Sequence, residues 1–201
     1  MNKFLLEIGL EEMPAKMILP AVEQLMNLIK NTCENNFLSF KEIRTFSTPR
    51  RLAVMVLGLP DKQSDRRIEL KGPPVEIAKD IENKWTKSAK GFAKKNGVEV
   101  NDLEIKKFEG KDYLFFQKFE AGHSLPELLQ PHIGEWITQI NFPKNMRWGS
   151  YKMRFIRPIR WIVSLWNNSI IPVKLEMVKA GNVTHGHRFL SSGEAIISEA
   201  A

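Results

Sequence analysis

The sequence predicts an α+β fold, with mixed, largely antiparallel sheets and packed helices. Apolar residues recur at helical spacing in long segments, and short β-branched or apolar runs bounded by turn residues lie between and after them. Helices and strands do not alternate in a regular βαβ order, so a doubly wound parallel sheet is not expected. Three parts are predicted, residues 1–74, 75–145 and 146–201, which can equally form one domain.

The first part, residues 1–74, is predicted to form an N-terminal β-α-β-β unit. Residues 4–8 are typical of a buried strand, and a helix is expected from Ala15, because acidic residues followed by Pro14 suit a helix start. Pro20 lies early in this helix and is expected to kink or delay it. Three further strands are predicted at residues 40–46, 51–59 and 68–71.

The second part, residues 75–145, is predicted to be helical and rich in lysine, with a hairpin. Residues 75–98 are predicted to form a helix that carries a lysine stripe between Lys84 and Lys95. Runs at 105–108 and 113–119 predict a hairpin, and residues 125–140 return to helical spacing.

The third part, residues 146–201, is predicted to be rich in strands and to contain a series of arginines. Strands are expected at residues 160–166 and 170–178, on either side of Asn167 and Asn168, because asparagine tolerates the left-handed backbone of a tight turn. The chain ends at Ala201 without a natural stop signal, which suggests a piece of a longer protein.

The composition excludes several classes of protein. The single cysteine, Cys33, cannot form a disulfide within the chain or build a thiolate zinc site, and it has no basic neighbour that would activate it. The sequence contains no run of about 18 apolar residues that would span a membrane.

A net charge of +7 favours an anionic partner, with nucleic acid first among the candidates. A reducing, cytoplasmic location is expected.

Residues that suggest catalysis or metal binding have simpler interpretations. The adjacent carboxylates Glu11 and Glu12 fit a helix start better than an acid–base pair. His185 and His187 would share one face of a strand, but no third metal ligand lies near them in sequence, so hydrogen bonding or RNA contact is favoured. The sequence contains no phosphate-binding glycine motif. We therefore predict no catalytic residue and no metal site.

Arginines that lie beside aromatic residues form the candidate binding site. A guanidinium group binds phosphate through a fork of donors and stacks on bases, and neighbouring rings provide further stacking surfaces. The alternative is a set of surface arginines that simply pack along the aromatic rings. The predicted RNA-binding residues are Arg50, Arg51, Arg147, Arg154, Arg157, Arg160, His187 and Arg188. The lysine stripe is weaker support, because a charged helix face is usually only solvated.

A series of short motifs resembles the beta subunit of bacterial glycyl-tRNA synthetase. The motifs occur in the expected order over nearly the whole chain: residues 6–14 (LEIGLEEMP), 48–54 (TPRRLAV), 71–73 (KGP), 88–93 (SAKGFA), 146–149 (MRWG), 155–161 (FIRPIRW) and 184–189 (THGHRF). Leu10 and Met13 are mild departures, since threonine and leucine are expected there.

The resemblance implies a part in a larger enzyme. Enzymes of this family are tetramers of two alpha and two beta subunits, in which the alpha subunit holds the active site and uses ATP and Mg²⁺ to join glycine to tRNA(Gly). The beta subunit is needed for activity and binds tRNA. The chain is therefore expected to be an inactive N-terminal portion that binds no cofactor itself. The alternatives are a structural docking module without RNA contact and a hydrolase that edits mischarged tRNA.

Overall fold

The computed structural model describes residues 1–176, 178–187, 189–190 and 193–200. It contains two compact units, here called the sheet unit (Met1–Gln63 and His123–Ala201) and the inserted unit (Ser64–Gly122). Helices and mainly antiparallel sheets occur together, so the predicted α+β class is confirmed. The three-part division at residues 74 and 145 follows other boundaries than these units and stays a prediction. No helix among the described residues has the length and apolarity to cross a membrane.

The sheet unit begins with the β-α-β-β order that the sequence predicts. Its first elements are β1 (Lys3–Leu10), α1 (Ala15–Asn35), β2 (Glu42–Thr48) and β3 (Arg51–Leu57). After the inserted unit it continues with α4 (Leu125–Gln139), β7 (Met146–Arg147), β8 (Arg154–Phe155), β9 (Ile159–Trp166), β10 (Ser169–Ile170), β11 (Lys174–Leu175), β12 (Val178–Gly181), β13 (Val183–His185) and β14 (Glu194–Ile196). Helix α1 begins at Ala15 and runs through Pro20, so this proline does not delay its start.

The central sheet has the strand order β11-β12-β9-β1-β3-β2, with β10 paired to β9. Strand β1 lies between β3 and β9 and is antiparallel to both, while β12 is parallel to β9. The N-terminal strand is therefore in the middle of the sheet, and strands from both ends of the sequence flank it. Two short antiparallel pairs, β7–β8 and β13–β14, lie outside this sheet.

One face of the central sheet packs against helices α1 and α4. The alternate residues Phe4, Leu6 and Ile8 of β1 are fully buried there. Trp136 of α4 makes an edge contact with Phe4 at 6.0 Å between ring centroids, and its indole nitrogen donates to Thr32 Oγ1 of α1 at 2.9 Å. The main core is thus a helix-on-sheet layer, as the period-two pattern of β1 requires.

The inserted unit is a three-stranded antiparallel sheet with short helices. Its elements are β4 (Arg66–Pro74), α2 (Val75–Ala78), α3 (Lys87–Asn96), a 3-10 turn (Val100–Asp102), β5 (Glu104–Phe108) and β6 (Lys111–Glu120). The strand order is β4-β6-β5, and the predicted hairpin around Gly110 is confirmed. The unit has its own small core, with Ala78, Ala89 and Leu114 at its centre.

The prediction of one helix over residues 75–98 is wrong. The chain leaves helix α2 at Lys79, which is extended, and turns at Asn83, whose φ is +63°. The Asp80 side chain accepts a hydrogen bond from the Lys84 backbone nitrogen at 2.8 Å. Such a side-chain-to-backbone bond offers the chain an alternative to the helix, and helical periodicity alone does not reveal it.

The prediction of one strand over residues 170–178 is also wrong. Pro172 has no N–H group for a sheet ladder, and Glu176 has a φ of +54°, which reverses the chain between β11 and β12. The turn at Asn167, with a φ of +54°, is confirmed. The resulting short strands agree with the predicted strand-rich character of residues 146–201.

Candidate functional site

On the face of the central sheet opposite the helices, one end of the strands is apolar and the other end carries charged and aromatic residues. At one end Leu5, Met55 and Leu165 form an apolar cluster, on which Ile197 and Ala200 pack. At the other end Gly9 has Arg51 and Trp161 as its direct neighbours on β3 and β9. The register of three strands therefore places a guanidinium group and an indole ring on either side of a residue without a side chain.

Glu7, one row away on the same face, is a buried carboxylate with several partners. It is only 6% exposed, and its Oε1 accepts a hydrogen bond from Trp161 Nε1 at 2.7 Å and another from the Thr184 hydroxyl. Arg51 Nε lies 3.2 Å from Glu7 Oε2 as an ion pair, without the angle of a hydrogen bond. A buried charge is tolerated only when it is paired and hydrogen-bonded, and Glu7 meets both conditions.

Arg51 extends this network to the strand that covers it. Its terminal nitrogen donates to Thr184 Oγ1 at 3.1 Å and to the His185 carbonyl oxygen. Thr184 thus accepts from Arg51 and donates to Glu7, and β13 is held against the polar end of the sheet face. We call Glu7, Arg51, Trp161 and Thr184 the buried network.

Gly9 is required because the Trp161 indole lies directly over it. A Cβ atom added at Gly9 would come within 1.9 Å of the indole ring, far inside van der Waals contact. The ring therefore occupies the space of the missing side chain, while its nitrogen is fixed by Glu7. This packing sets the position of one wall of the site.

A cleft of about 520 Å³ opens beside the buried network. We call it the arginine cleft; it is lined by Glu12, Thr48, Pro49, Arg50, Arg51, Trp161, His185, Gly186, His187 and Phe189. The Arg50 guanidinium lies 5.8 Å from the centroid of the Trp161 ring, and the His185 and Trp161 centroids are 4.6 Å apart. Cationic and aromatic groups therefore face one another in a concave space.

The two arginines of this cleft are in different states. The Nε atoms of both residues are buried without a hydrogen-bond partner in the described part of the chain, but Arg51 Nε forms an ion pair with the Glu7 carboxylate. An unsatisfied buried donor is costly, and in native structures it calls for an explanation such as a ligand or an ordered water. Arg50 lines the cleft without a carboxylate partner like the Glu7 of Arg51, so it is the arginine whose charge a ligand would compensate.

The other predicted RNA-binding residues spread over a wider surface. Arg157 Nε donates to the Glu12 carbonyl oxygen at 2.9 Å, which places it beside the arginine cleft. Arg160 pairs with Glu11 at 3.4 Å and lines a separate cleft of about 260 Å³ with Trp148. Arg147 and Arg154 face each other across β7 and β8, and both are exposed. The predicted residues that the structure describes therefore lie at more than one cleft, and their RNA contacts stay predictions.

His185 and His187 both line the arginine cleft, but they do not lie on one strand. His185 ends β13, but His187 lies beyond the strand, so the prediction that they share a strand face is wrong. The Phe189 backbone nitrogen donates to His187 Nδ1 at 3.2 Å, and both residues line the cleft. Arg188, also predicted to bind RNA, lies outside the described residues.

Residues considered for chemistry occupy structural positions. Glu11 and Glu12 lie just before Pro14, the N-cap of α1, so the predicted helix start is confirmed, although neither residue falls within the first turn. Burial raises the pKa of the Cys33 thiol to about 11, with the Glu34 charge as a smaller cause, in agreement with an inert thiol. Across residues 1–176, 178–187, 189–190 and 193–200, no three His, Cys, Asp or Glu side chains come together as metal ligands.

Sequence reasoning missed Glu7 and Thr184. Glu7 is a single charged residue within the apolar run of β1, on the face opposite Leu6 and Ile8. A carboxylate at such a position signals a buried ion pair, because it is too costly to bury alone. Thr184 carries no comparable signal, since a threonine in a strand is ordinary.

Comparison with known proteins identifies the family. The model of the family described as glycyl-tRNA synthetase beta subunit matches residues 4–201. The glycine–tRNA ligase beta subunit of Lactiplantibacillus plantarum is 46% identical over 197 residues, covering 98% of this chain. Those of Bacillus subtilis strain 168 and a Picosynechococcus species are 45% and 42% identical, covering 98% and 100% of this chain.

These matches define the class as subunits of an aminoacyl-tRNA synthetase. Within that class, the chain belongs to the glycyl-tRNA synthetase beta subunit family. It spans about 28% of the Lactiplantibacillus plantarum relative and 29% of the other two.

Proposed function

We propose that this chain is a non-catalytic part of glycine–tRNA ligase that binds tRNA(Gly) and supports assembly with the alpha subunit. The observation that carries the proposal is the arginine cleft, where the Arg50 guanidinium lies 5.8 Å from the centroid of the Trp161 ring. A net charge of +7 adds a long-range attraction for a polyanion. The relatives are named beta subunits of glycine–tRNA ligase, which supports a partner subunit and this RNA.

The catalytic step is assigned to the partner subunit. In the proposed tetramer of two alpha and two beta subunits, the alpha subunit binds ATP and Mg²⁺ and joins glycine to tRNA. The described residues of this chain offer no three-ligand set for a metal ion, and we assign no step through Mg²⁺ to them. The chain would act in the cytoplasm by holding tRNA for a reaction that occurs elsewhere in the complex.

A salt titration of tRNA binding tests the proposal. Phosphate contacts release counterions, so the logarithm of the affinity should fall linearly with the logarithm of the salt concentration. The measurement is fluorescence anisotropy of labelled tRNA(Gly) with the purified chain, from about 50 to 200 mM salt. Absence of binding at the lowest salt would favour the alternative of a structural docking module without RNA contact.

Paired substitutions compare arginines of the sheet unit with lysines of the inserted unit. Arg157→Ala with Arg160→Ala should weaken tRNA(Gly) binding more than Lys87→Ala with Lys90→Ala. The first two residues lie near aromatic clefts, whereas the lysines lie on an exposed helix face. Both variants remove two positive charges, so they are matched in net charge. Equal losses of affinity would show that only the overall charge matters.

An aminoacylation assay tests the division of labour. The chain alone, mixed with glycine, ATP and tRNA(Gly), should form no glycyl-tRNA, and pull-down with the alpha subunit should recover a complex. Glycyl-tRNA formation without the alpha subunit would contradict the non-catalytic role. Release of amino acid from mischarged tRNA would instead support the editing alternative, for which the Cys33 thiol is poorly suited as a nucleophile because it is buried and its pKa is raised.

A further inference from the structure

The arginine cleft has walls of three different kinds. Its floor is the Trp161 indole, which Gly9 and Glu7 hold in place. Arg50 provides a cation with an unsatisfied buried nitrogen. The rim carries Phe189, which is 82% exposed although it is a large apolar residue. Such an arrangement suits a ligand that has both an anionic group and a flat ring.

We propose that the arginine cleft binds one unpaired nucleotide of RNA, with its phosphate on Arg50 and its base against the rings of His187 and Phe189. This inference rests on the proposed tRNA-binding function and specifies what the cleft recognises. Unpaired bases can leave a strand and stack on aromatic side chains, whereas a base inside a duplex cannot enter a concave site. The volume of about 520 Å³ lies within the usual range for sites of small ligands.

The charges of the cleft favour a single phosphate. Arg51 is compensated by Glu7 and held by Thr184, so it fixes the geometry of the cleft and is not available as a second free cation. Glu12 also lines the cleft, where its carboxylate would repel another phosphate and accept a hydrogen bond from a ribose hydroxyl or a base amine. One guanidinium group and one carboxylate thus match one phosphate and one sugar or base donor.

The aromatic rim explains why a base is preferred to a simple anion. The His187 and Phe189 ring centroids are 6.1 Å apart with an interplanar angle of 56°, and both rings are exposed. The exposed ring of a phenylalanine leaves apolar surface in contact with water, and a stacked base would cover that surface. Every base has a flat face, so this stacking does not depend on which base is bound. The site is therefore expected to distinguish unpaired from paired RNA more strongly than one base from another.

The experiment compares single-stranded and duplex RNA on the full chain. The probes are a labelled single-stranded oligonucleotide, a blunt RNA duplex of equal length, and tRNA(Gly), all at one salt concentration. Phe189→Ala should weaken single-strand binding about 5-fold or more and leave duplex binding unchanged, because one base–aromatic stack is lost. Arg50→Ala should weaken single-strand binding and reduce its salt slope by about one.

Control variants test whether a loss of binding comes from the cleft itself or from a general loss of apolar surface, charge or stability. Phe119→Ala removes an exposed phenylalanine from the inserted unit and should leave single-strand binding unchanged. Lys90→Ala removes one positive charge from α3 and should weaken single-strand binding less than Arg50→Ala does. Phe189→Leu keeps an apolar side chain but no ring, so it should behave like Phe189→Ala. Circular dichroism melting confirms that each variant is folded.

The outcomes separate this inference from the proposed function. If tRNA(Gly) binds but Phe189→Ala and Arg50→Ala have no effect, or weaken duplex and single-strand binding equally, the nucleotide site is contradicted while the tRNA-binding function stands. If tRNA(Gly) does not bind at all, the proposed function itself fails. Displacement of the single strand by a polyglutamate peptide as readily as by mononucleotides would show that the cleft recognises negative charge alone, which also overturns the inference.

Discussion

The two faces of the central sheet are built from the same strands and held by different forces. On the helix face, Leu6 and Ile8 are fully buried among apolar residues of α1 and α4. On the opposite face, the intervening residues Glu7 and Gly9 belong to a polar assembly with Arg51 and Trp161. Non-directional burial stabilises the first face, whereas the second depends on specific pairs at fixed distances. The face that carries the candidate site is thus the one that tolerates less change.

The largest expected effect comes from removing the buried carboxylate. Glu7→Ala leaves Arg51 and the Trp161 nitrogen without their partner, and loss of one member of a buried pair costs about 3–5 kcal/mol. Because the Arg51 side chain is 28% exposed, we expect a loss near the lower limit. Urea unfolding of the variant measures it.

A double substitution provides the control for Glu7. Glu7→Ala combined with Arg51→Met should be less destabilising than the sum of the two single changes, since no uncompensated charge remains. Glu23→Ala, on an exposed position of α1, should change the free energy of unfolding by less than about 0.5 kcal/mol. Strict additivity of the two network substitutions would contradict the ion pair.

The second-largest effect is expected from disturbing the close packing of Trp161 against Gly9, on the face that also carries Glu7. Gly9→Ala places a Cβ within 1.9 Å of the Trp161 indole, so the ring must move away from its bond with Glu7. Overpacking of this kind costs about 1–3 kcal/mol, which thermal unfolding should reveal. Gly91→Ala in α3 is the comparison, because its Cβ meets no atom within 4 Å. That change should not destabilise the protein, since alanine favours a helix interior by up to about 1 kcal/mol; equal losses would contradict the close approach.

A smaller effect is expected on the helix face. Ile8→Val removes one methylene group from a fully buried position and should lower the free energy of unfolding by about 0.5–1.5 kcal/mol. Adding Arg51→Met should change this loss only additively, because the two residues lie on opposite faces. A strong coupling between them, measured in urea, would show that the faces are not independent.

The last prediction requires no substitution and concerns the reactivity of Cys33, which lies in the core on the helix face. Its pKa is raised from 9.0 to about 11, so at a given neutral pH the reactive thiolate is about 100-fold rarer than in the unfolded chain. Iodoacetamide should therefore label the folded protein at least about 100-fold more slowly than the urea-unfolded protein. Mass spectrometry follows the reaction, and similar rates in both states would mean that the helix face opens readily.

The sequence predicts long helices and strands better than it predicts the turns that interrupt them. The strand of residues 4–8, the helix from Ala15 and the helix of residues 125–140 follow directly from apolar periodicity, and the structure confirms them. Periodicity failed at residues 75–98 and 170–178, where Asn83 and Glu176 adopt positive φ angles. Non-glycine residues rarely do so, and a pattern of apolar positions contains no sign of it.

The candidate site was predictable only in its components. Arg50, Arg51 and His187 were named from their residue types, and the structure brings them to one cleft. Arg147, Arg154 and Arg160 were named by the same rule and lie elsewhere. Residue type indicates what an arginine can bind, but only packing decides whether a carboxylate already compensates its charge, as Glu7 does for Arg51.

The sequence by itself determined the α+β class, the basic charge, the inert cysteine and, through motifs in a characteristic order, the family. These properties depend on local spacing, composition and residue identity, which the chain carries without folding. The tertiary structure decided which residues meet: residues 7, 51, 161 and 184 are far apart in sequence and join because β1 lies between β3 and β9 with β13 above it. Strand register and close packing are long-range properties, so the buried network and the cleft beside it exist only in the folded chain.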